Sequence, residues 1–272
     1  MANNPVDTIF VSFGAGRTGW RQAVKRISKE AQATGMFSQI LCLDEIWLQD
    51  AEPTIYRIVK KFQERGFHKG FGYMTWKPAV LRWAKLQYPK ANVLYMDAGS
   101  HLEQSQDHMN LFKKILVENA DTGLAWKLPS HKEFSWSKKE LLVKLNPSEK
   151  ILNSDQIQSG FIYIPNGTSS TELISQWNDL AAERDGFYFS HELELEQHQE
   201  FVAHRHDQSV FSILWKTHKF GIKDDMTFPE NLGNFPIVAM RNNTRISAKS
   251  PRLIISVTKN TNALQDKILR RR

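Results

Sequence analysis

Apolar residues are spaced along this chain in two ways. Short unbroken runs occur at TIFVSF (8–13), SQILCL (38–43), ANVLYM (91–96) and FIYI (161–164). Runs of that length, rich in β-branched and aromatic residues and closed by turn residues, predict buried strands. Between them, apolar positions recur at helical spacing over 18–34, 53–65, 77–88, 107–119, 171–183 and 207–218. Pro78 suits the first turn of its helix. The acidic, then His-rich stretch 192–204 predicts a further helix, with His198 and His204 facing solvent. Strands alternating with helices predict an α/β fold, a mostly parallel central sheet with helices on both faces. The pattern weakens near residue 225. It predicts one domain over 1–225 and an irregular basic C-terminal extension, 226–272, packed on it or trailing from it.

Composition narrows the class. With 272 residues, 41% of them hydrophobic, the chain is long enough for one large core. Cys42 is the single cysteine, so no internal disulfide forms and a reducing, cytoplasmic setting is the expectation. The start MANNPVDTIF has neither a basic n-region nor an apolar h-region, which argues against a secretory leader. No run approaches the ~18 apolar residues of a membrane span. Charge is unevenly placed. Residues 241–272 hold nine of the 36 Lys and Arg and one of the 29 acids, leaving 27 against 28 elsewhere. That tail either rests on an anionic membrane surface, as a peripheral contact at the inner face, or is simply solvated. Nucleic acid is not an expected partner.

In open α/β sheets, ligands bind beyond the carboxyl ends of the strands. Two strand ends carry chemistry, Ser12–Gly19 and Asp97–Leu102. GAGRTG (14–19) fits G-x-G-x-x-G between a strand and a helix, and Asp44 follows the second strand where a ribose-binding acid would stand. That spacing offers an NAD(P)-dependent oxidoreductase. Against it, Arg17, Trp20 and Arg21 are bulky at the tight turn. The reading also leaves 70–102 and 204–209 without a role. A glycine-rich turn with no ligand is the plain alternative.

Four segments taken together point elsewhere: VSFGAG (11–16), GFGYMTWKP (70–78), LYMDAGSHL (94–102) and HRHDQSVFS (204–212), with QSGF (158–161) between the last two. Their order and spacing resemble the GT-A-fold nucleotide-sugar glycosyltransferases of bacterial and viral type, with motifs G-Y-x-x-W-K-P, D-A-G, Q-x-G-F and R-H-D-Q-S. The resemblance spans roughly residues 8–222. It implies a GT-A-like Rossmann-type sandwich that moves a hexose-type unit from a nucleotide-diphosphate sugar. The implied acceptor is a glycan or lipid-linked glycan in surface polysaccharide or lipopolysaccharide synthesis.

The residue types suit that chemistry. Charge builds on the departing diphosphate and must be met by a cation or fixed cationic side chains. The resemblance places Ser12, Phe13 and Gly14 along the nucleotide, and Tyr73 and Trp76 against base or sugar. Lys77 falls near the phosphates, and Asp97, Ala98 and Gly99 at the ribose and metal. Gln158, Ser159 and Gly160 fall beside the donor sugar. The family's divalent cation, Mn²⁺ or Mg²⁺, would sit on Asp97. Gly99 stands where a second carboxylate is expected, so His101, His206 or Lys77 would have to take its part. An inverting transferase needs a carboxylate to accept the acceptor hydroxyl's proton. Asp207 is the candidate base and His206 the second. Helix capping is the bland alternative for Asp207, core packing for Tyr73 and Trp76, and a strand-entry turn for Gln158–Gly160. Phe134 and Trp136 offer aromatic faces to an acceptor or anchor their own loop. A non-catalytic binder using the basic tail remains a further alternative.

Overall fold

The computed structural model describes residues 7–227 and 234–239. Strand β1 (Thr8–Phe13) leads to helix α1 (Thr18–Thr34), β2 (Gln39–Leu43), α2 (Glu45–Ala51) and α3 (Pro53–Glu64). A short turn, α4 (Gly70–Tyr73), precedes α5 (Trp76–Gln87), β3 (Asn92–Met96), β4 (Ser100–Leu102) and α6 (Gln106–Glu118). Then come β5 (Leu124–Lys132), α7 (Glu133–Trp136), α8 (Lys139–Leu145), α9 (Glu149–Leu152), β6 (Asp155–Ile164) and α10 (Thr168–Ala182). A 3₁₀ segment (Glu183–Phe189), α11 (Asp207–Thr217), β7 (Ile222–Asp224) and β8 (Ile237–Ala239) complete the described chain.

Six strands form the main sheet in the order β2-β1-β3-β6-β5-β7. β1 is parallel to β2 and β3, β6 is antiparallel to β3 and β5, and β5 is parallel to β7. Five strands therefore share one direction and β6 opposes them. The fold is the expected α/β sandwich, with a mostly parallel central sheet covered by helices on both faces. Alternating side chains explain why both faces are covered. Ile9, Val11, Val93, Tyr95, Ile162 and Ile164 enter one core with Val59 of α3, Leu81 of α5, Trp177 of α10 and Phe211 of α11. Phe10, Leu94, Met96, Phe161 and Tyr163 enter the other, with Ile27 of α1 and Phe112 of α6. Beyond residue 225 the chain returns to the body. β8 pairs with β4, Ala239 opposite Ser100 and Ile237 opposite Leu102.

Two departures from the sequence reading have physical causes. The segment 192–204 is irregular rather than helical. The Val202 and Ala203 amides donate to the Ser135 carbonyl and Gln197 Nε2 donates to the Leu195 carbonyl, so other partners take backbone groups that a helix would pair internally. The turn before α5 is left-handed, with φ of 55° at Gly70, 52° at Phe71, 82° at Gly72, 56° at Tyr73 and 58° at Met74. Non-glycine residues pay about 1–2 kcal/mol each for that conformation. Packing holds it. A Cβ on Gly72 would lie 3.0 Å from Val59, and Trp76 Nε1 donates to the Gly70 carbonyl at 3.0 Å. Among the described residues no helix is long and apolar enough to cross a membrane. The basic residues of 241–272, and the membrane contact they suggest, lie outside the described residues.

Candidate active site

Strand β3 is fully buried and ends at Met96, and the next amide, that of Asp97, donates to the Gly160 carbonyl of β6 at 2.8 Å. The strand stops there, and the Asp97 carboxylate emerges at the sheet's carboxyl edge. Its side chain is 43% exposed, whereas that of Lys77 beside it is 1% exposed. The Lys77 ammonium lies 3.2 Å from Asp97 Oδ1 and 2.7 Å from Asp207 Oδ2. It also donates to the Ser159 carbonyl at 3.0 Å and to Ser159 Oγ at 3.4 Å. Ser159 Oγ donates to Asp207 Oδ2 at 2.7 Å, and Tyr95 OH to Asp97 Oδ1 at 2.7 Å. Four segments far apart in sequence thus meet around one buried ammonium.

The electrostatics follow from that geometry. Burial alone would lower the Lys77 value, but Asp207 and Asp97 raise it above the ordinary lysine range. Burial raises the Asp207 carboxyl, and Lys77 works against that rise. Tyr95 is raised well above its ordinary value by burial and by Asp97, so it stays a hydrogen-bond donor.

The other candidates divide into two groups. Gln158 lines the open end, its amide nitrogen bonded to Asp225 Oδ2 at 2.8 Å and Thr227 Oγ1 at 3.0 Å. Gly160 is bare backbone there, and a Cβ on it would stand 3.1 Å from Asp97 Oδ2. Gly16, past the end of β1, has φ 77° and lies under the Phe71 ring. The second group is internal. Ser12 is buried and donates to the Met96 carbonyl at 2.8 Å, tying β1 to β3. Gly14 is buried, and a Cβ there would strike the Trp20 carbonyl oxygen at 2.4 Å, so no larger residue fits. Phe13 stacks on Trp76 at 4.1 Å. Ala98 is 3% exposed and Gly99 is also buried. Tyr73 is 4% exposed, stacks on His206 at 4.4 Å and bonds His191 through its hydroxyl.

His206 Nδ1 donates to the Phe189 carbonyl at 2.8 Å. Burial, then Lys69, pulls its value down to about 3, so the ring stays neutral and accepts protons weakly. Its φ of 58° with ψ −126° is a conformation that costs on the order of 1–3 kcal/mol. His204 is 7% exposed, not solvent-facing. It accepts from the Lys138 amide at 3.3 Å and donates to the Tyr188 carbonyl at 2.8 Å, and both demands are met only inside. Asp44 caps α2, its Oδ1 accepting from the Ile46 and Trp47 amides, which occupies the carboxylate that a dinucleotide reading would assign to ribose.

Several partners carry no local sequence signal. Arg26 of α1 donates to the Ala98 and Ser100 carbonyls at 2.8 and 2.9 Å and to His101 Nδ1 at 2.9 Å, pinning the loop after Asp97. Asp225 and Thr227 close over Gln158.

The donor chemistry does not fit a divalent ion held by the chain. Gly99 offers no side chain, Lys77 stands between the two carboxylates, and His101 is engaged by Arg26. Among the described residues no group of three His, Cys, Asp or Glu converges. A cavity of about 660 Å³ lies at the opposite edge of the sheet, between the end of α1 and α6. Its floor includes Met36, Phe37 and Leu116. Its lining carries only Asp7 and Lys113 as charged side chains and none of the motif residues, so chemistry, not volume, locates the site.

No protein-family model matches the chain, and no curated protein matches it. Several solved structures are similar in chain path. A glycosyltransferase involved in glycosylation of the major capsid of PBCV-1 is 12% identical, over 88% of this chain and 95% of that one, with a TM-score of 0.49. Mouse xyloside xylosyltransferase 1 is 10% identical over 89% and 99%, with a TM-score of 0.43. GlyE of Streptococcus pneumoniae TIGR4 is 13% identical over 94% of this chain and 60% of its own, with a TM-score of 0.42.

Proposed function

We propose that the protein is a glycosyltransferase that takes a sugar from a nucleotide-diphosphate sugar to a glycan acceptor. One observation carries the reading. Lys77, Asp97, Ser159 and Asp207, each from a different motif segment, are bonded to one another at the carboxyl edge of the sheet. Capping or core packing explains each residue singly but not their meeting around one ammonium.

In this reading Lys77 supplies fixed positive charge beside the reacting phosphates, and burial strengthens it because little water screens it. Asp97, half-exposed and held by Tyr95 and Lys77, meets the donor through Oδ2. Gln158 and Gly160 line the sugar, and the bare backbone at Gly16 under Phe71 admits the nucleoside. Asp207 is 3% exposed with its oxygen given to Lys77 and Ser159, so it orients Lys77 rather than accepting the acceptor's proton. Neutral, buried His206 shapes the wall through Tyr73. The transferred unit is a hexose-type sugar and the acceptor a surface polysaccharide or lipid-linked glycan. The setting is cytoplasmic, at the inner membrane face. The sugar and acceptor rest on the motif resemblance, the setting on the single cysteine and the basic tail.

A thermal-shift panel of UDP-, GDP-, CMP- and dTDP-sugars against NADH and NADPH tests the reading, since a ligand that binds only the folded state raises Tm. The expected outcome is stabilisation by a nucleotide-diphosphate sugar, with Asp97→Ala losing turnover at least ~10²-fold while remaining folded. Stabilisation by a nicotinamide cofactor alone, or full turnover by folded Asp97→Ala, overturns it.

A further inference from the structure

Gln158 sits on β6 two positions before Gly160 and is 7% exposed. Which way its amide faces is fixed by chemistry. Nε2 meets Asp225 Oδ2 at 2.8 Å, and a carboxylate only accepts. The second partner, Thr227 Oγ1, spends its one proton on Asp225 Oδ1 at 2.7 Å, so it too can only accept from Gln158. Asp225 is itself seated by the Thr227 amide at 2.7 Å, and Thr227 is 1% exposed. Turning the amide over would set oxygen against two acceptors.

The Gln158 oxygen is therefore held outward. It lies 3.6 Å from the point where a Cβ on Gly160 would stand, and Asp97 Oδ2 lies 3.1 Å from that same point. Among the described residues neither oxygen receives a hydrogen bond. Two acceptors flank a patch of bare backbone with no donor between them, and a ligand that donates there twice satisfies both.

We propose that Asp225 is a positioning residue that locks the Gln158 amide oxygen-outward, making the space above Gly160 a subsite for two free hydroxyls of the donor sugar. This rests on the glycosyltransferase reading. Hydroxyls replaced by groups that only accept, such as fluorine, are refused there.

The test compares the parent donor with each of its monodeoxyfluoro analogues, fluorine being an acceptor without a proton. The wild type is expected to lose roughly 10- to 100-fold in kcat/KM on two of the analogues, the size of one hydrogen bond to a charged or buried acceptor. In Asp225→Leu the amide is free to turn and present its NH₂, and the loss on the analogue facing Gln158 shrinks about tenfold. Asp225→Asn serves if the Leu variant does not fold. A merely structural role for Asp225 would lower both rates together and leave their ratio unchanged, which overturns the proposal. So does equal turnover of parent and analogues by the wild type, as expected if the two oxygens held a cation instead. A second measurement needs no donor. The Gln158 side-chain NH₂ resonances, assigned by their loss in Gln158→Glu, should exchange slowly in the wild type and quickly in Asp225→Leu. Fast exchange in the wild type refutes the lock whatever the enzyme's substrate. A protected amide in a protein that turns over no nucleotide sugar refutes the glycosyltransferase reading and the subsite with it.

Discussion

Lys77 and Lys138, the two most deeply buried lysines among the described residues, are held in opposite ways. Lys77, at the strand ends, is 1% exposed and faces two carboxylates. Lys138, entering α8, is 0% exposed and faces the carbonyls of Phe187, Ser190 and Glu192 at 2.6, 3.3 and 3.0 Å. Its ammonium also sits 3.7 Å over the Phe187 ring. Carbonyl dipoles satisfy its hydrogen bonds but do not replace lost hydration. Burial pulls Lys138 down to about 8 although Glu140, Glu192 and Glu194 resist. Full countercharges do replace it, and Lys77 stays raised. One lysine is a permanent charge suited to chemistry. The other is a clip for the 187–192 loop whose charge can be removed near physiological pH.

Replacing Lys77 breaks the contrast most severely. In Lys77→Met, Asp207 is left buried and unpaired, at a cost of about 3–5 kcal/mol measured by urea unfolding. Turnover falls at least ~10²-fold. Adding Asp207→Asn to that variant restores part of the stability, because the uncompensated charge is gone and the two changes are not additive. Wild-type stability in Lys77→Met would mean that the ammonium is no keystone.

Lys138→Met sharpens the other half. The folded-state value near 8 lies below the ordinary 10.5, so the native state releases this proton first. The resulting burden on stability is full below about pH 8 and lifts as pH rises from about 8 to 10.5. Wild type should gain stability relative to Lys138→Met between pH 8 and 10 in a denaturation series. Parallel curves would show that the carbonyls hold the charge as firmly as carboxylates do.

The smallest change is outside both regions. Asp44→Ala removes the α2 cap and costs about 1 kcal/mol, while nucleotide-sugar affinity stays where it was. A fall in affinity would return Asp44 to the ligand.

The central strands were legible because burial on both faces writes them as unbroken apolar runs, and the closing Gly14 and Asp97 marked where they stop. β5 was not. Lys127, Pro129 and His131 interrupt its pattern, and its pairing with β6 shifts register twice. The left-handed turn at Gly70–Met74 was hidden because Phe71, Tyr73 and Met74 give no local sign of positive φ, and only packing against α3 explains it. The motif residues could be named from order and spacing. Their tasks could not, since local sequence does not say that Asp207 faces inward and Asp97 outward. Arg26 reads as one more helix-surface cation, and Asp225 as a turn acid. Each gains its meaning from a partner about 70 positions away, at Ala98 and Gln158 respectively.

The antiparallel strand β6 lies between β3 and β5 although it is made after both. The bond from Lys77 to Ser159 spans 82 positions, and that from Ser159 to Asp207 a further 48. During synthesis, at roughly 5–20 residues per second, the first half of the sheet must wait for its middle strand, and Lys77 for the second of its two countercharges, Asp207. A nascent chain stalled before α11 would hold Lys77, Asp97 and Ser159 but lack Asp207, so the centre stays incomplete until α11 has been made and docked.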